Sequence, residues 1–172
     1  MKSIKVLIIS VILFSCQGKA EKNTGSAFKK SGELLTLDFN ELQRYIDTHS
    51  SKTLVINFWA TWCKPCVKEL SAFEKIQATY NDKDLSVILV SLDFPEQLDD
   101  LKKFIRKREL KSEVVFLNDD KANDWIPRVS DNWSGAIPAT LIVSDKKRDF
   151  YERSFDYIAL EKRIKPHLNT IL

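Results

Sequence analysis

The sequence predicts an α/β sandwich around a mixed sheet, on three observations. Strand-like and helix-like segments alternate from Leu34 onward, the pattern of helices packed on a largely parallel sheet. Two of these runs, "TLVINFWA" (53–60) and "LSVILVSLD" (85–93), are continuously apolar and rich in β-branched residues, as strands covered on both faces are. Cys63 and Cys66 stand three positions apart where the first of these strands gives way to a helical pattern.

The elements follow in order. "LLTLD" (34–38) reads as a short strand. Asp38 then offers an N-cap with Glu41 three residues later, and Phe39, Leu42, Tyr45 and Ile46 share one helical face. After the strand 53–60, Val67, Leu70, Phe73, Ile76 and Tyr80 recur at helical spacing. "PEQLDDLKKFIRKREL" (95–110) opens with a proline suited to a first turn and continues as an amphipathic helix. "EVVFLND" (113–119) is strand-like and "ANDWIPRVS" (122–130) a short helix or turn. "ATLIVS" and "DFYERSF" flank the turn "DKKR" as a hairpin. A helix from about Tyr157 closes the chain, with Pro166 placed to kink it.

The N-terminus reads differently. Lys2 and Lys5 precede "VLIISVILF" (6–14), an apolar run far shorter than the ~20 residues that span a bilayer. It matches the hydrophobic part of a signal peptide over residues 1–15. Leu13-Phe14-Ser15-Cys16 resembles a bacterial lipobox, which makes Cys16 the expected site of lipidation and an anchor rather than a redox partner. Ordinary secretion with cleavage elsewhere is the alternative. Residues 17–33, "QGKAEKNTGSAFKKSGE", hold three of the four glycines and read as a flexible tether, so 16–33 form a lipidated N-terminus and 34–172 the folded domain.

Composition narrows the function classes. The 172 residues are 44% apolar and 30% charged, with 27 Lys and Arg against 24 Asp and Glu. That balance gives no basis for a nucleic-acid partner, and "KKFIRKR" and "DKKR" read as solvated faces. The two histidines, His49 and His167, lie far apart, which excludes a His-rich metal site.

The chemistry therefore rests on the cysteine pair. Only a thiolate attacks a disulfide, and an unperturbed cysteine, with a pKa of about 8.5, is mostly protonated at neutral pH. At a helix N-terminus Cys63 meets unpaired backbone N–H groups and the positive end of the helix dipole, which favour its anion. Cys66, one turn further in, is the shielded resolving thiol and Cys63 the exposed attacker. Pro65 supplies a φ compatible with a first helical turn, and Lys64 and Trp62 complete the loop. A zinc half-site and a purely structural disulfide are the alternatives. The first lacks further ligands, and so short a loop gives the second little entropy to restrict.

"FWATWCKPC" (58–66) resembles the active-site signature of the thioredoxin superfamily, and "GAIPATLIV" (135–143), about 70 residues later, resembles its cis-proline loop. The resemblance spans roughly Leu34 to Leu172. It implies a thioredoxin-like three-layer sandwich, with a mixed central sheet flanked by helices and the CxxC at a helix N-terminus. It also implies that Pro138 is cis and sits against the cysteines, with the Ile137 backbone open to an extended substrate. Many thioredoxins carry a buried aspartate where this chain has Asn57, which cannot take a proton. The membrane-tethered TlpA/ResA-type branch instead has a glutamate three residues after the second cysteine, and Glu69 occupies that place. Helical spacing puts Glu69 on the side of Cys66, where it either handles the proton of the pair or is simply a solvent-exposed helix acid. Trp125 and Trp133 flank the approach to Pro138, as a substrate wall or as packing under a long loop. Gly135, the one glycine of the domain, suggests a turn with positive φ or a close approach beside the site.

By this resemblance the chain is an envelope thiol–disulfide oxidoreductase, monomeric and without a cofactor beyond its own Cys63–Cys66 disulfide. It is expected to reduce partner disulfides, such as those of apocytochrome c, and to draw electrons from a membrane dithiol donor. A net oxidase or isomerase uses the same chemistry. A peroxidase fits less well, because the pair is a resolved CxxC. A copper-handling or protein-binding module is the reading from another class, though "WSGAIPATL" (133–141) offers no histidine.

Overall fold

The computed structural model describes residues 34–49, 51, 53–80 and 84–168; Cys16, the apolar run 6–14 and residues 17–33 lie outside them. Six strands form one sheet: β1 (Leu35–Leu37), β2 (Thr53–Trp59), β3 (Leu85–Ser91), β4 (Glu113–Leu117), β5 (Ala139–Ser144) and β6 (Arg148–Tyr151). Their order is β1-β4-β3-β2-β5-β6. β1, β4, β3 and β2 run parallel, while β5 pairs antiparallel with β2 and β6 antiparallel with β5. The mixed sheet expected from the sequence is thus parallel on one side of β2 and a hairpin on the other.

Every residue of β2 is buried, because helices cover both faces of the sheet. Alternation along an extended chain sends successive side chains to opposite faces. Val55 and Trp59 join one core with Phe73, Ile76, Leu101 and Leu160. Those partners come from α2 (Lys64–Tyr80), α3 (Leu98–Arg108) and α5 (Tyr157–Ile164). Leu54, Ile56 and Phe58 join a second core with Phe39, Leu42, Tyr45, Trp125 and Val129, supplied by α1 (Phe39–Asp47) and α4 (Ala122–Val129). The result is three layers.

Local signals act as the sequence suggests at several points. Asp38 Oδ1 accepts from the Glu41 N–H at 2.8 Å, and Glu41 Oε2 accepts from the Asp38 N–H at 3.0 Å, so the capping box opens α1. Pro95 opens a separate 3-10 turn, Pro95–Gln97, and α3 begins only at Leu98. "ANDWIPRVS" is a helix despite Pro127 inside it. The proline falls in the last turn, where the lost backbone bond interrupts little. Pro166 sits in a 3-10 turn, Lys165–His167, that follows α5 directly.

One expectation needs correction. The strand expected through Phe155 stops at Tyr151, and Phe155 turns inward to pack as a buried core residue. The two histidines are structural and separate: His167 is buried with Nε2 3.0 Å from Asp149 Oδ2 and Nδ1 3.3 Å from Ser144 Oγ, whereas His49 Nε2 lies 3.8 Å from Glu113 Oε2.

Phe73 reaches from α2 into the core and is fully buried. Its replacement by alanine removes most of a fully buried ring from the core and leaves a cavity. Phe73→Ala is expected to cost about 3–5 kcal/mol, read by denaturant unfolding of the oxidised chain; a loss below about 1 kcal/mol contradicts this packing.

Candidate active site

Cys63 sits between the end of β2 and the start of α2. Its N–H donates to the Ala60 carbonyl at 3.1 Å, closing a turn, and its carbonyl accepts the Val67 N–H at 3.0 Å as the first helical bond. Cys63 is therefore the N-cap residue of α2. The Cys66 N–H, one of the helix's otherwise unpaired donors, points at Cys63 Sγ from 3.3 Å. A sulfur in this place takes the acceptor role that a serine or aspartate takes at other helix starts, and an anionic sulfur suits it better than a thiol.

The two sulfurs are joined as a disulfide, 2.00 Å apart. Cys66 is fully buried and Cys63 is 6% exposed. The order expected from the sequence holds, but Cys63 is less open than an exposed attacker. The reason is the loop opposite: the Ile137–Pro138 peptide is cis, and the Ile137 carbonyl oxygen lies 3.8 Å from Cys63 Sγ. Trp62, Lys64 and Pro65 ring the pair on the solvent side, all exposed.

Glu69 is not a solvent-exposed helix acid. It is 4% exposed, and its two carboxylate oxygens are held from opposite directions. Oε2 accepts the Phe155 N–H at 2.8 Å and Oε1 accepts Asn57 Nδ2–H at 2.8 Å. Burial pushes its pKa up to about 7, and the hydrogen bonds from Phe155 and Asn57 only partly offset that. Asn57 lies wholly inside the sheet, on the face that Val55 and Trp59 turn toward α2.

Other residues hold the loop, and the sequence reading missed the principal one. Asp93 is buried just past the end of β3. Both its oxygens accept the Thr61 N–H at 3.1 Å, it bonds the Thr61 hydroxyl, and Oδ2 accepts from Ser91 Oγ at 2.8 Å. This carboxylate fixes the chain two residues before Cys63. An acid closing a buried parallel strand was the available signal, because sites in α/β folds gather at the carboxyl ends of strands. Phe94, beside it, is exposed and stacks on Trp62 with ring centroids 6.1 Å apart.

Trp125 and Trp133 take the packing role. Each is 5% exposed. Trp125 stacks on Phe39, and Trp133 packs on Phe58 with centroids 4.7 Å apart. Trp133 Nε1–H donates to the Ala136 carbonyl at 2.8 Å, which ties down the loop leading to Pro138. Neither presents an indole face to solvent. Gly135 has φ +92°, and a Cβ there would meet Ile126 Cδ1 at 3.2 Å, so both reasons anticipated for a glycine apply.

The pH dependence follows from Glu69. Its folded pKa stands above the unfolded value, so the stability it contributes is complete below about pH 4.5 and is lost as the pH rises to about 7. The stability difference between the wild-type chain and Glu69→Gln is expected to change by about 2–3 kcal/mol across that window, in the sense that wild type declines. Parallel curves for the two proteins from pH 4 to 8 contradict a raised Glu69.

Comparison with known proteins agrees with this geometry. Residues 30–148 match the AhpC/TSA family. The chain is 27% identical over 124 residues to the thiol-disulfide oxidoreductase ResA of Bacillus cereus, covering 72% of this chain and 67% of that protein. It is 50% identical over 46 residues to the thioredoxin-like protein YneN of Bacillus subtilis, 27% of this chain and only 26% of that protein. A thioredoxin-related protein from Neisseria meningitidis serogroup B superposes with a TM-score of 0.64 at 20% identity, covering 78% of this chain and 98% of that one. The chain spans between about a quarter and two thirds of the length of these two curated relatives; it belongs to the AhpC/TSA family, and its folded part has the thioredoxin-like fold.

Proposed function

We propose that this protein is an envelope reductase that passes electrons from a membrane dithiol donor to disulfides of partner proteins through Cys63 and Cys66. The observation that carries the reading is the Cys63–Cys66 disulfide across the first turn of α2, with the carbonyl of the cis Ile137–Pro138 peptide 3.8 Å from Cys63 Sγ and Glu69 buried three residues after Cys66 on the same helix. In the reduced protein the Cys63 thiolate attacks one sulfur of a substrate disulfide. A mixed disulfide forms, and the other substrate sulfur leaves as a thiolate. Glu69 takes the Cys66 proton, and the Cys66 thiolate attacks Cys63 Sγ. The intramolecular disulfide closes and the second substrate thiolate departs. Two electrons have passed to the substrate; the departing thiolates take up protons, one of them the proton that passed through Glu69.

The substrate lies extended along the cis-proline loop, pairing with the Ile137 backbone. Trp62, exposed and stacked on Phe94, offers apolar area beside Cys63 for the substrate's flanking side chains. Residues 1–15 direct export, lipidated Cys16 tethers the protein to the membrane and residues 17–33 give it reach. Envelope proteins awaiting reduced thiols, apocytochrome c among them, are the substrates this placement favours. Reduction is the direction that the TlpA/ResA-type resemblance of Glu69 and the cysteine loop implies.

Single-cysteine variants test the cycle. Reduced Cys66→Ser, incubated with a disulfide-bonded model protein such as insulin, is expected to accumulate a mixed disulfide through Cys63. Cys63→Ser is expected to trap none, and both variants to lose turnover to the uncatalysed rate. Trapping by Cys63→Ser, or wild-type turnover by Cys66→Ser, contradicts the assignment.

A further inference from the structure

Glu69 faces two donors. The Phe155 N–H and Asn57 Nδ2–H each lie 2.8 Å from one of its oxygens. That setting suits a carboxylate, which only accepts, but a carboxylic acid adds an O–H that needs an acceptor. A buried O–H without one is costly. Asn57 has such an acceptor to offer: it is fully buried, and among the described residues no donor reaches its Oδ1.

A half-turn of the amide plane exchanges its two ends. Oδ1 then faces Glu69 Oε1 and Thr140 Oγ1, which now lies 3.3 Å from Nδ2 and which can donate as well as accept. The turn gives up the Nδ2–H bond to the Ala139 carbonyl, the longest of the three at 3.4 Å, and carries the Nδ2–H donors to the place where Oδ1 now stands, a cost that the new bond to the Glu69 acid has to offset. We propose that Asn57 is a positioning residue of the dithiol cycle, an amide that donates Nδ2–H to the Glu69 carboxylate and turns Oδ1 toward the Glu69 carboxylic acid.

The inference rests on the proposed role of Glu69. When Cys66 gives up its proton, its S–H becomes a thiolate and Glu69 becomes the neutral acid; no electron moves in that step. The acid forms inside the protein, where water is not at hand to rearrange around it, and Asn57 adapts in place of water. A leucine at this position supplies neither end of the amide. An aspartate puts a second titrating carboxyl against the first, so that the pair titrates in two coupled steps.

The test is a titration of the oxidised full-length chain, following the Glu69 carboxyl carbon by NMR, with its resonance assigned by its absence in Glu69→Gln. The wild type is expected to show one midpoint near 7, and the Asn57 side-chain amide resonances are expected to move with the same midpoint. In Asn57→Leu the carboxylate loses a charge-assisted bond and the acid only a neutral one, so the midpoint rises by about one pH unit. The pH profile for reduction of the model disulfide is expected to shift equally, which a merely structural role would not produce. The near-isosteric Asn57→Asp tests the same point with less risk to folding, and should give two steps, the upper above the wild-type midpoint. A wild-type midpoint near 7 that stays put in Asn57→Leu, with a single unshifted step in Asn57→Asp, overturns the role of Asn57 and leaves that of Glu69 standing. Amide resonances that stay fixed through the titration overturn the turning of Asn57 alone. A wild-type midpoint near 4, the ordinary carboxyl value, overturns the role of Glu69 and this inference with it.

Discussion

The hydrogen bonding of β2 on both edges is the constraint on which the rest of this structure depends. β3 holds it in parallel register from Thr53 to Trp59, and β5 holds it in antiparallel register from Thr53 to Phe58. One strand therefore fixes three things together. Its end sets where α2 and Cys63 begin. Its antiparallel neighbour starts at Ala139, directly after Pro138, so the cis-proline loop is delivered to the same end of the sheet. Its interior places Asn57 beneath α2, within reach of Glu69. A strand bonded on one side only would leave at least one of these free to drift.

The site then works by withholding water. Cys66, Asn57 and Glu69 are all buried, and a charge in such a place is disfavoured unless it is bonded. The structure gives Glu69 two bonds, enough to keep the charged form accessible and too few to make it permanent. That balance brings an acid from the range of an ordinary glutamate to near neutrality, where a proton acceptor for a thiol is useful. The surface side of the pair does the opposite. Trp62 and Phe94 are exposed there, so large apolar rings face whatever approaches Cys63.

Legibility in the sequence followed distance along the chain. The strand-to-helix junction at Cys63, the capping box at Asp38 and the hairpin around 145–148 are local, and residue type with spacing carries them. Pro138 was legible through resemblance to a family loop, since spacing alone says nothing about a peptide isomer. The burial of Glu69 was not legible. Helical spacing tells which side it faces but not what covers it, and its cover comes from Phe155, 86 residues away. The same holds for Asp93, which acts on the cysteine loop through Thr61 from just past the end of another strand. Trp125 and Trp133 lie near Pro138 in sequence, but a large aromatic suits a core as well as a groove, and only the neighbouring rings of Phe39 and Phe58 decide between them.

In the function proposed above, Cys63 and Cys66 give electrons to partner disulfides. The most direct measurement is the reduction potential of Cys63/Cys66, by equilibration of the chain with glutathione or dithiothreitol buffers at pH 7. A reductase is expected to show a value near or below roughly −250 mV, in the range of thioredoxin-type reductants. A value of about −120 to −180 mV, the range of strong disulfide oxidants and isomerases, would contradict that function.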